Sequence, residues 1–314
     1  MTELLQDVKG AEVIIDDILV QGDSVTHDKN VEETLDVIRK SGLMLNKDKC
    51  AFKKEKAPFF GHVLSRDGIQ ADPTKIEAIV KMPPPQNTTE LRRVLGMANY
   101  LGKFLPDMST TMRPLNELLR ADQVWTWDKE QQEAFQNLKV MVSTTPVLAF
   151  YDESKHTVVS ADASSFGLGA TLLQQHDKEL RPVAYCSRTL TDAARRYEQI
   201  EKELLATVWA CEKFEKYLVG LDKFTAQTDH KPLVPLINHQ DLDKAPIRCQ
   251  RLLMRLMRFS VQAVYIPGKD MVVDDTLSHS PLQTEDEPVT EALAEAHLDA
   301  IMSALPVSEH KMDT

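Results

Sequence analysis

The sequence contains no apolar run long enough to cross a bilayer. Its opening residues, MTELLQDVKG, contain neither the basic start nor the continuous apolar core of a secretory signal. Hydrophobic residues make up 42% of the chain and charged residues 27%, which is the composition of an ordinary globular protein. We therefore expect a soluble intracellular chain, cytoplasmic or nuclear, without a membrane partner. Its 314 residues are enough for two or three compact units.

Cysteine is scarce, and the few cysteines lie far apart in the chain. None belongs to a CxxC pair, and no histidine stands at zinc-finger spacing from any of them. The four cysteines are Cys50, Cys186, Cys211 and Cys249. The pattern predicts reduced structural thiols, with neither a zinc site nor a disulfide framework.

A basic excess is missing as well. The 37 Lys and Arg residues face 48 Asp and Glu residues, which gives a formal net charge of -11. Residues 283–314 hold eight acidic residues against one lysine, a balance of -7, so residues 1–282 carry only -4. Phosphate contacts need Lys and Arg, but a nearly neutral body can still present a basic groove. Net charge therefore weakens a nucleic-acid interpretation without excluding it.

The first half of the chain has a hairpin pattern followed by helical segments. In VIIDDILV, apolar β-branched runs flank Asp16 and Asp17, which predicts a strand, a turn and a strand with both carboxylates at the tip. Prolines from Pro73 onward indicate a boundary. Helical spacing then covers residues 88–120, with Thr88 or Thr89 as the N-cap, and recurs in WTWDKEQQEAFQNLKVMV.

The second half has a different pattern. HTVVSADAS, LGATLLQQ and PVAYCS predict three short strands joined by turns. A long helix at about residues 192–218 follows, then the strand FTAQTD, further helices through Leu256, and the strand FSVQAVYI. This order predicts an α/β domain with a mixed sheet.

Four acidic residues of this half stand where elements converge. Asp162 lies in or just after an apolar strand, Asp229 ends a strand, and Asp275 follows an apolar pair. At 100° per residue Glu203 faces the core side of its helix, whereas Glu201 falls on a charged side. Clustered carboxylates repel one another, so a cluster makes sense around divalent ions, with Mg²⁺ the natural candidate for phosphodiester hydrolysis. The alternative is that each acid is a helix cap or lies in a solvated turn.

Several longer stretches resemble a known family. VVSADASSFGLGATLLQQ, RRYEQIEKELLATVWACEKFEKYL, FTAQTDHKPL and YIPGKDMVVDDTLSHSP resemble the RNase H domain of gypsy-class LTR-retrotransposon polyproteins. Upstream, VIIDDILV, FFGHVLSRDGI and LRRVLGMANYLGKFLPDMS resemble the reverse transcriptase palm end and connection of the same polyproteins. The resemblance implies an RNase H-like mixed five-stranded sheet with flanking helices, preceded by a partial palm and a helical connection. The expected regions are a partial palm at 1–72, a helical thumb or connection at 73–148, an RNase H domain at 149–282 and an acidic tail at 283–314.

The resemblance also implies a metal site. By it, the metal ligands and catalytic residues are Asp162, Glu203, Asp229 and Asp275, which would hold two Mg²⁺ ions, with Mn²⁺ as a substitute. The sequence departs from the family at Asp274, where alanine is usual, and at His279, where arginine is usual. The extra acid beside Asp275 would disturb the metal geometry or act as a stand-in ligand.

Asp16 and Asp17 match the YxDD-type catalytic turn of the family's polymerase, with Ile14 in place of the usual aromatic residue. A polymerase also needs an aspartate from an earlier palm strand, and only fifteen residues precede Asp16. We interpret the pair as a polymerase remnant and expect no reverse transcriptase activity from this chain alone.

A stripe of arginines recurs at helical spacing near the end of the second half. Such a stripe would follow a phosphate backbone, or would be a solvated face beside the leucines and methionines. Met254 and Met257 are expected in the core. His230, next to Asp229, is a further candidate for substrate contact, with a structural role as the alternative. The candidate arginines are Arg248, Arg251, Arg255 and Arg258.

The predicted reaction is Mg²⁺-dependent endonucleolytic hydrolysis of the RNA strand of an RNA/DNA hybrid. One alternative is an inactive relic or an adopted binding module, which Asp274 and His279 favour. Another is a piece of a longer polyprotein with active reverse transcriptase. The sequence does not indicate an oligomeric state.

Overall fold

The structure is a computed structural model that describes residues 2–23, 25–105, 108–120, 123–239 and 245–268. The described chain forms two compact units that divide between Asp72 and Pro73. None of the helices in these ranges is both long enough and apolar enough to span a membrane.

The first unit contains an antiparallel hairpin, helices and a three-stranded antiparallel meander. The hairpin agrees with the predicted strand, turn and strand. Leu5, Val8 and Ile38 form a small core against the hairpin residues Val13 and Ile18. The elements are α1 (Thr2–Leu5), β1 (Ala11–Ile14), β2 (Asp17–Val20), α2 (His27–Ser41), β3 (Lys56–Phe59), β4 (His62–Ser65) and β5 (Gly68–Ala71).

The second unit begins with four helices. They are α3 (Pro73–Val80), α4 (Thr88–Tyr100), α5 (Met108–Glu117) and α6 (Lys129–Ser143). The single helix expected over residues 88–120 is two helices, since a 3-10 turn at Gly102–Phe104 follows α4 and glycine is a poor helix former. The N-cap prediction was wrong by one residue: Asn87 has extended backbone and its side chain accepts the N–H of Glu90, whereas Thr88 is already helical.

A five-stranded mixed sheet follows, which confirms the predicted fold class. The strands are β6 (Thr157–Ala163), β7 (Gly167–His176), β8 (Glu179–Thr189), β9 (Phe224–Thr228) and β10 (Val261–Tyr265). Their spatial order is β10-β9-β6-β7-β8. Strand β7 pairs antiparallel with both β6 and β8, and β9 lies parallel to both β6 and β10.

The helices of this region are α7 (Asp192–Arg195), α8 (Gln199–Lys213), α9 (Glu215–Leu218), α10 (Leu233–His239) and α11 (Ile247–Leu256). The predicted helix over residues 192–218 is therefore three helices. The first break arises because Glu198 is extended and forms a reciprocal capping box with Glu201. Helix α8 packs against β6, β7 and α11. Every residue from Glu201 to Cys211 is buried, so α8 is the central helix of the second unit.

Two methionines of the last helical region are exposed, contrary to prediction. Met254 and Met257 are 59% and 58% exposed, respectively. The reason is that α11 is buried on one side only, and at 3.6 residues per turn both methionines lie away from that side. The buried side consists of Cys249, Leu252, Leu253 and Leu256.

Candidate metal centre

Two of the candidate acids lie at one edge of the sheet because their strands are parallel neighbours. Ser160 of β6 pairs with Gln227 of β9, so two residues further along each strand the chain reaches Asp162 and Asp229. Strand β6 lies in the middle of the sheet, and Asp162 is its one residue that is not fully buried. Asp229 is exposed. The sheet therefore presents one half-buried and one exposed carboxylate side by side.

Helix α8 adds the third acid from the protein interior. Glu203 is only 3% exposed. One carboxylate oxygen from each of Asp162, Glu203 and Asp229 lies within 4.8 Å of the other two. The fourth predicted ligand, Asp275, and the departures Asp274 and His279 lie outside the described residues.

The environment of Glu203 disfavours its negative charge. Burial, with the nearby Asp162 and Asp229 carboxylates as a further cause, raises the pKa of Glu203 to about 9, although hydrogen bonds with Gln199 and the Ala163 backbone oppose the rise. In the metal-free chain Glu203 therefore holds a proton at neutral pH. A bound cation would reverse this preference.

The two oxygens of Glu203 have different surroundings. Oε1 accepts a hydrogen bond from Nε2 of Gln199. Oε2 is buried and has no hydrogen-bond partner within the described ranges. An unpaired buried acceptor is costly, and carboxylate oxygens are the ligands that Mg²⁺ and Mn²⁺ prefer. The three residues therefore fit a divalent cation.

Two residues beside this cluster were not identified from the sequence. Gln199 Nε2 donates to the carbonyl of Ala163 at 3.1 Å as well as to Glu203. Gly268 approaches the carboxylate of Asp229 closely. A glutamine in the first turn of a helix carries no sequence signal of such a role, and neither does a glycine just after the last predicted strand.

The predicted arginine stripe is largely occupied by intramolecular ion pairs. Arg255 donates two hydrogen bonds to Glu212, at 2.8 and 2.5 Å. Arg258 forms an ion pair with Glu215. Glu212 lies on α8, so Arg255 contributes to holding α11 against α8, whereas Arg258 follows the end of α11 and its partner Glu215 lies on α9.

Arg248 and Arg251 differ in their partners. Arg248 donates to Glu201 at 2.6 Å and its guanidinium lies 4.1 Å from the ring centre of Tyr197. Glu201 is thus buried under Arg248, not on an open charged side as expected. Arg251 lines a groove of about 510 Å³ between α8 and α11 and has no hydrogen bond or ion pair to any described residue. The nucleic-acid role of all four arginines remains a prediction.

The polymerase-like pair lies in the first unit. Ile15 and Asp16 form the turn between β1 and β2, and Asp17 pairs with Ile14. Ile15 has a positive φ of 53°, which is strained for a β-branched residue. Both aspartates are exposed. Their role as a polymerase remnant remains a prediction, as does substrate contact by His230, which donates its backbone N–H to Thr228 Oγ1.

Comparison with known proteins identifies relatives across most of the chain. Residues 127–226 match the model of the RNase H-like domain found in reverse transcriptase. Over 283 residues the chain is 35% identical to the retrovirus-related Pol polyprotein from transposon opus of Drosophila melanogaster. The chain is a homologue of retrotransposon Pol polyproteins. That alignment covers 86% of the chain and 28% of the polyprotein. The Tf2-3 transposon polyprotein of Schizosaccharomyces pombe is 32% identical over 290 residues, which are 91% of the chain and 22% of that polyprotein.

These relatives confirm the predicted kinship with retrotransposon polyproteins. The chain spans about a quarter of the length of these polyproteins.

Solved structures with the same fold are also found. The foamy viral protease-reverse transcriptase in complex with dsDNA matches with a TM-score of 0.72 and 21% identity, over 84% of this chain and 56% of that one. The same viral protein in complex with an RNA/DNA hybrid gives 0.71 and 20%, over 91% of this chain and 39% of that one.

Proposed function

We propose that this chain is a ribonuclease H that hydrolyses the RNA strand of RNA/DNA hybrids endonucleolytically, with Mg²⁺ as cofactor and Mn²⁺ as a substitute. The observation that carries the proposal is the cluster of Asp162, Glu203 and Asp229, with the buried Oε2 of Glu203 lacking a hydrogen-bond partner among the described residues. Two comparisons support the proposal: the sequence similarity to retrotransposon Pol polyproteins and the match to the RNase H-like domain found in reverse transcriptase.

The three carboxylates have distinct parts in this proposal. Glu203 would supply an oxygen from the buried side, whereas the exposed Asp229 borders the side from which a substrate phosphate would approach. Asp162, which is half-buried in β6, would supply an oxygen from the edge of the sheet. Asp275 would be the fourth ligand. When bound, two Mg²⁺ ions would supply charge stabilisation at the phosphate and activation of water.

The reaction is a hydrolysis with water as nucleophile. The water oxygen forms a bond to phosphorus, and the bond from phosphorus to the ribose O3′ breaks. The products are a 3′-hydroxyl and a 5′-phosphate. Preference for the hybrid would come from contacts with 2′-hydroxyls and from groove shape, and the nucleic-acid complexes of the structurally similar viral protein support such a partner.

The test is cleavage of an end-labelled RNA/DNA hybrid by the purified chain in Mg²⁺. Asp162→Asn and Glu203→Gln each remove one ligand charge without changing side-chain size. Each should reduce the rate by more than about 100-fold, beyond the usual effect of losing an outer-shell partner. Asp177→Asn and Glu179→Gln make the same chemical changes at the β7–β8 turn and should retain activity.

The second candidate function is nucleic-acid binding without cleavage. A folded wild-type chain that binds the hybrid but leaves it intact would support this function. Cleavage that survives both ligand substitutions would contradict the proposed site.

A further inference from the structure

Gln199 connects the two elements that carry the buried part of the carboxylate cluster. It is the first residue of α8, one turn before Glu203. Its Nε2 donates to Glu203 Oε1 and also to the carbonyl oxygen of Ala163, the last residue of β6. An amide nitrogen has two hydrogens, so both are used. The same amide therefore joins Glu203 to the residue that follows Asp162.

These bonds leave the two oxygens of Glu203 unequal. Oε1 is engaged by the amide, whereas Oε2 has no hydrogen-bond partner among the described residues. A glutamate side chain has several rotatable bonds, so its carboxyl group can adopt several orientations. A donor on Oε1 restricts this freedom.

We propose that Gln199 is a positioning residue that holds Glu203 so that Oε2 alone is presented to a divalent cation. The inference rests on the proposed function, because it requires that the carboxylate cluster binds the cation. Gln199 does not touch the reacting atoms in this role. It acts through the orientation of Glu203 and through the spacing between α8 and the end of β6.

The experiment measures Mn²⁺ binding to the purified full chain, from the electron paramagnetic resonance signal of free Mn²⁺. Gln199→Met keeps an unbranched side chain of similar length but removes the donor. Gln199→Asn keeps the amide but shortens the side chain by one methylene, so it should not reach both acceptors. Gln199 is exposed, so neither change removes a core contact.

We expect Mn²⁺ affinity to fall 10- to 100-fold in Gln199→Met, the usual effect of removing a partner that orients a metal ligand, and to fall less in Gln199→Asn. The metal-free Gln199→Met chain should melt at a lower temperature than the wild type, because Oε1 of the buried Glu203 and the Ala163 carbonyl each lose a donor, so affinities are compared where every variant is folded. Gln175→Met is the matched control, since Gln175 Nε2 also donates to a backbone carbonyl, that of Asp177 in the β7–β8 turn. Its Mn²⁺ affinity should be unchanged.

The outcomes separate this inference from the proposed function. Wild-type affinity in folded Gln199→Met overturns the positioning role if Glu203→Gln still weakens binding, and the proposed metal site then stands. Should Gln199→Met fail to fold, wild-type affinity in Gln199→Asn has the same meaning. Equal Mn²⁺ binding by wild type and Glu203→Gln would instead contradict the metal site itself, and the positioning role with it.

Discussion

Gly268 lies directly against the carboxylate of Asp229: a Cβ placed on Gly268 would be 3.0 Å from Asp229 Oδ2. Such a contact is closer than ordinary van der Waals distance, so Gly268→Ala should displace the carboxylate by a few tenths of an ångström. We expect about a tenfold loss in both Mn²⁺ affinity and hybrid cleavage, because small misplacements of metal ligands are costly.

Gly96→Ala is the control for this substitution. Gly96 lies in α4, and a Cβ there would meet no atom within 4 Å. The control should keep Mn²⁺ affinity and gain stability of about 0.5–1 kcal/mol, since alanine is the better helix former. Unchanged Mn²⁺ affinity in folded Gly268→Ala would show that Asp229 relaxes freely or binds no cation.

The raised pKa of Glu203 predicts how the stability of the metal-free chain depends on pH. Between the ordinary glutamate pKa of 4.5 and the folded-state pKa of about 9, the folded chain holds a proton that the unfolded chain has released. The contribution of Glu203 to the free energy of unfolding is therefore fully present below pH 4.5, and it is lost as the pH rises from 4.5 to about 9. The slope for one proton is about 1.4 kcal/mol per pH unit at most. Urea unfolding in EDTA at pH 5, 7 and 9 measures it.

Glu203→Gln is the comparison for the pH series. Glutamine does not titrate, so the variant should lack this part of the slope and should exceed the wild type in stability at pH 9. In saturating Mg²⁺ the wild type should instead be more stable than Glu203→Gln at pH 9, because the cation favours the ionised carboxylate. Parallel pH profiles for the two proteins would mean that Glu203 titrates normally.

Local sequence patterns predicted the sheet and the placement of two acids, but not what surrounds them. The acid in the apolar strand β6 and the acid at the end of β9 followed from alternation and strand ends. The contacts of Gln199 and Gly268 join segments that are far apart in sequence, and no local pattern encodes them. For the same reason, helical spacing predicted the helix that contains Met254 but did not reveal which side of that helix packs against α8.

The Arg255–Glu212 pair should contribute to stability as well as, or instead of, nucleic-acid binding. Both hydrogen bonds of the guanidinium reach the same carboxylate, while the side chains are 46% and 29% exposed. A double-mutant cycle of Arg255→Ala and Glu212→Ala, measured by urea unfolding, should give a coupling of about 0.5–1 kcal/mol. A coupling of zero would show that solvent screening cancels the pair.

Arg251 should behave in the opposite way. Its guanidinium has no hydrogen bond or ion pair to a described residue, so Arg251→Ala should change the free energy of unfolding by less than about 0.5 kcal/mol. If it contacts a phosphate, hybrid binding should weaken and the slope of log affinity against log salt should fall by about 0.9. Binding is measured with the Asp162→Asn substitution present, so that the hybrid stays intact. Lys178→Ala removes one positive charge at the β7–β8 turn, and an equal loss of slope there would show that the effect reflects net charge, not contact by Arg251.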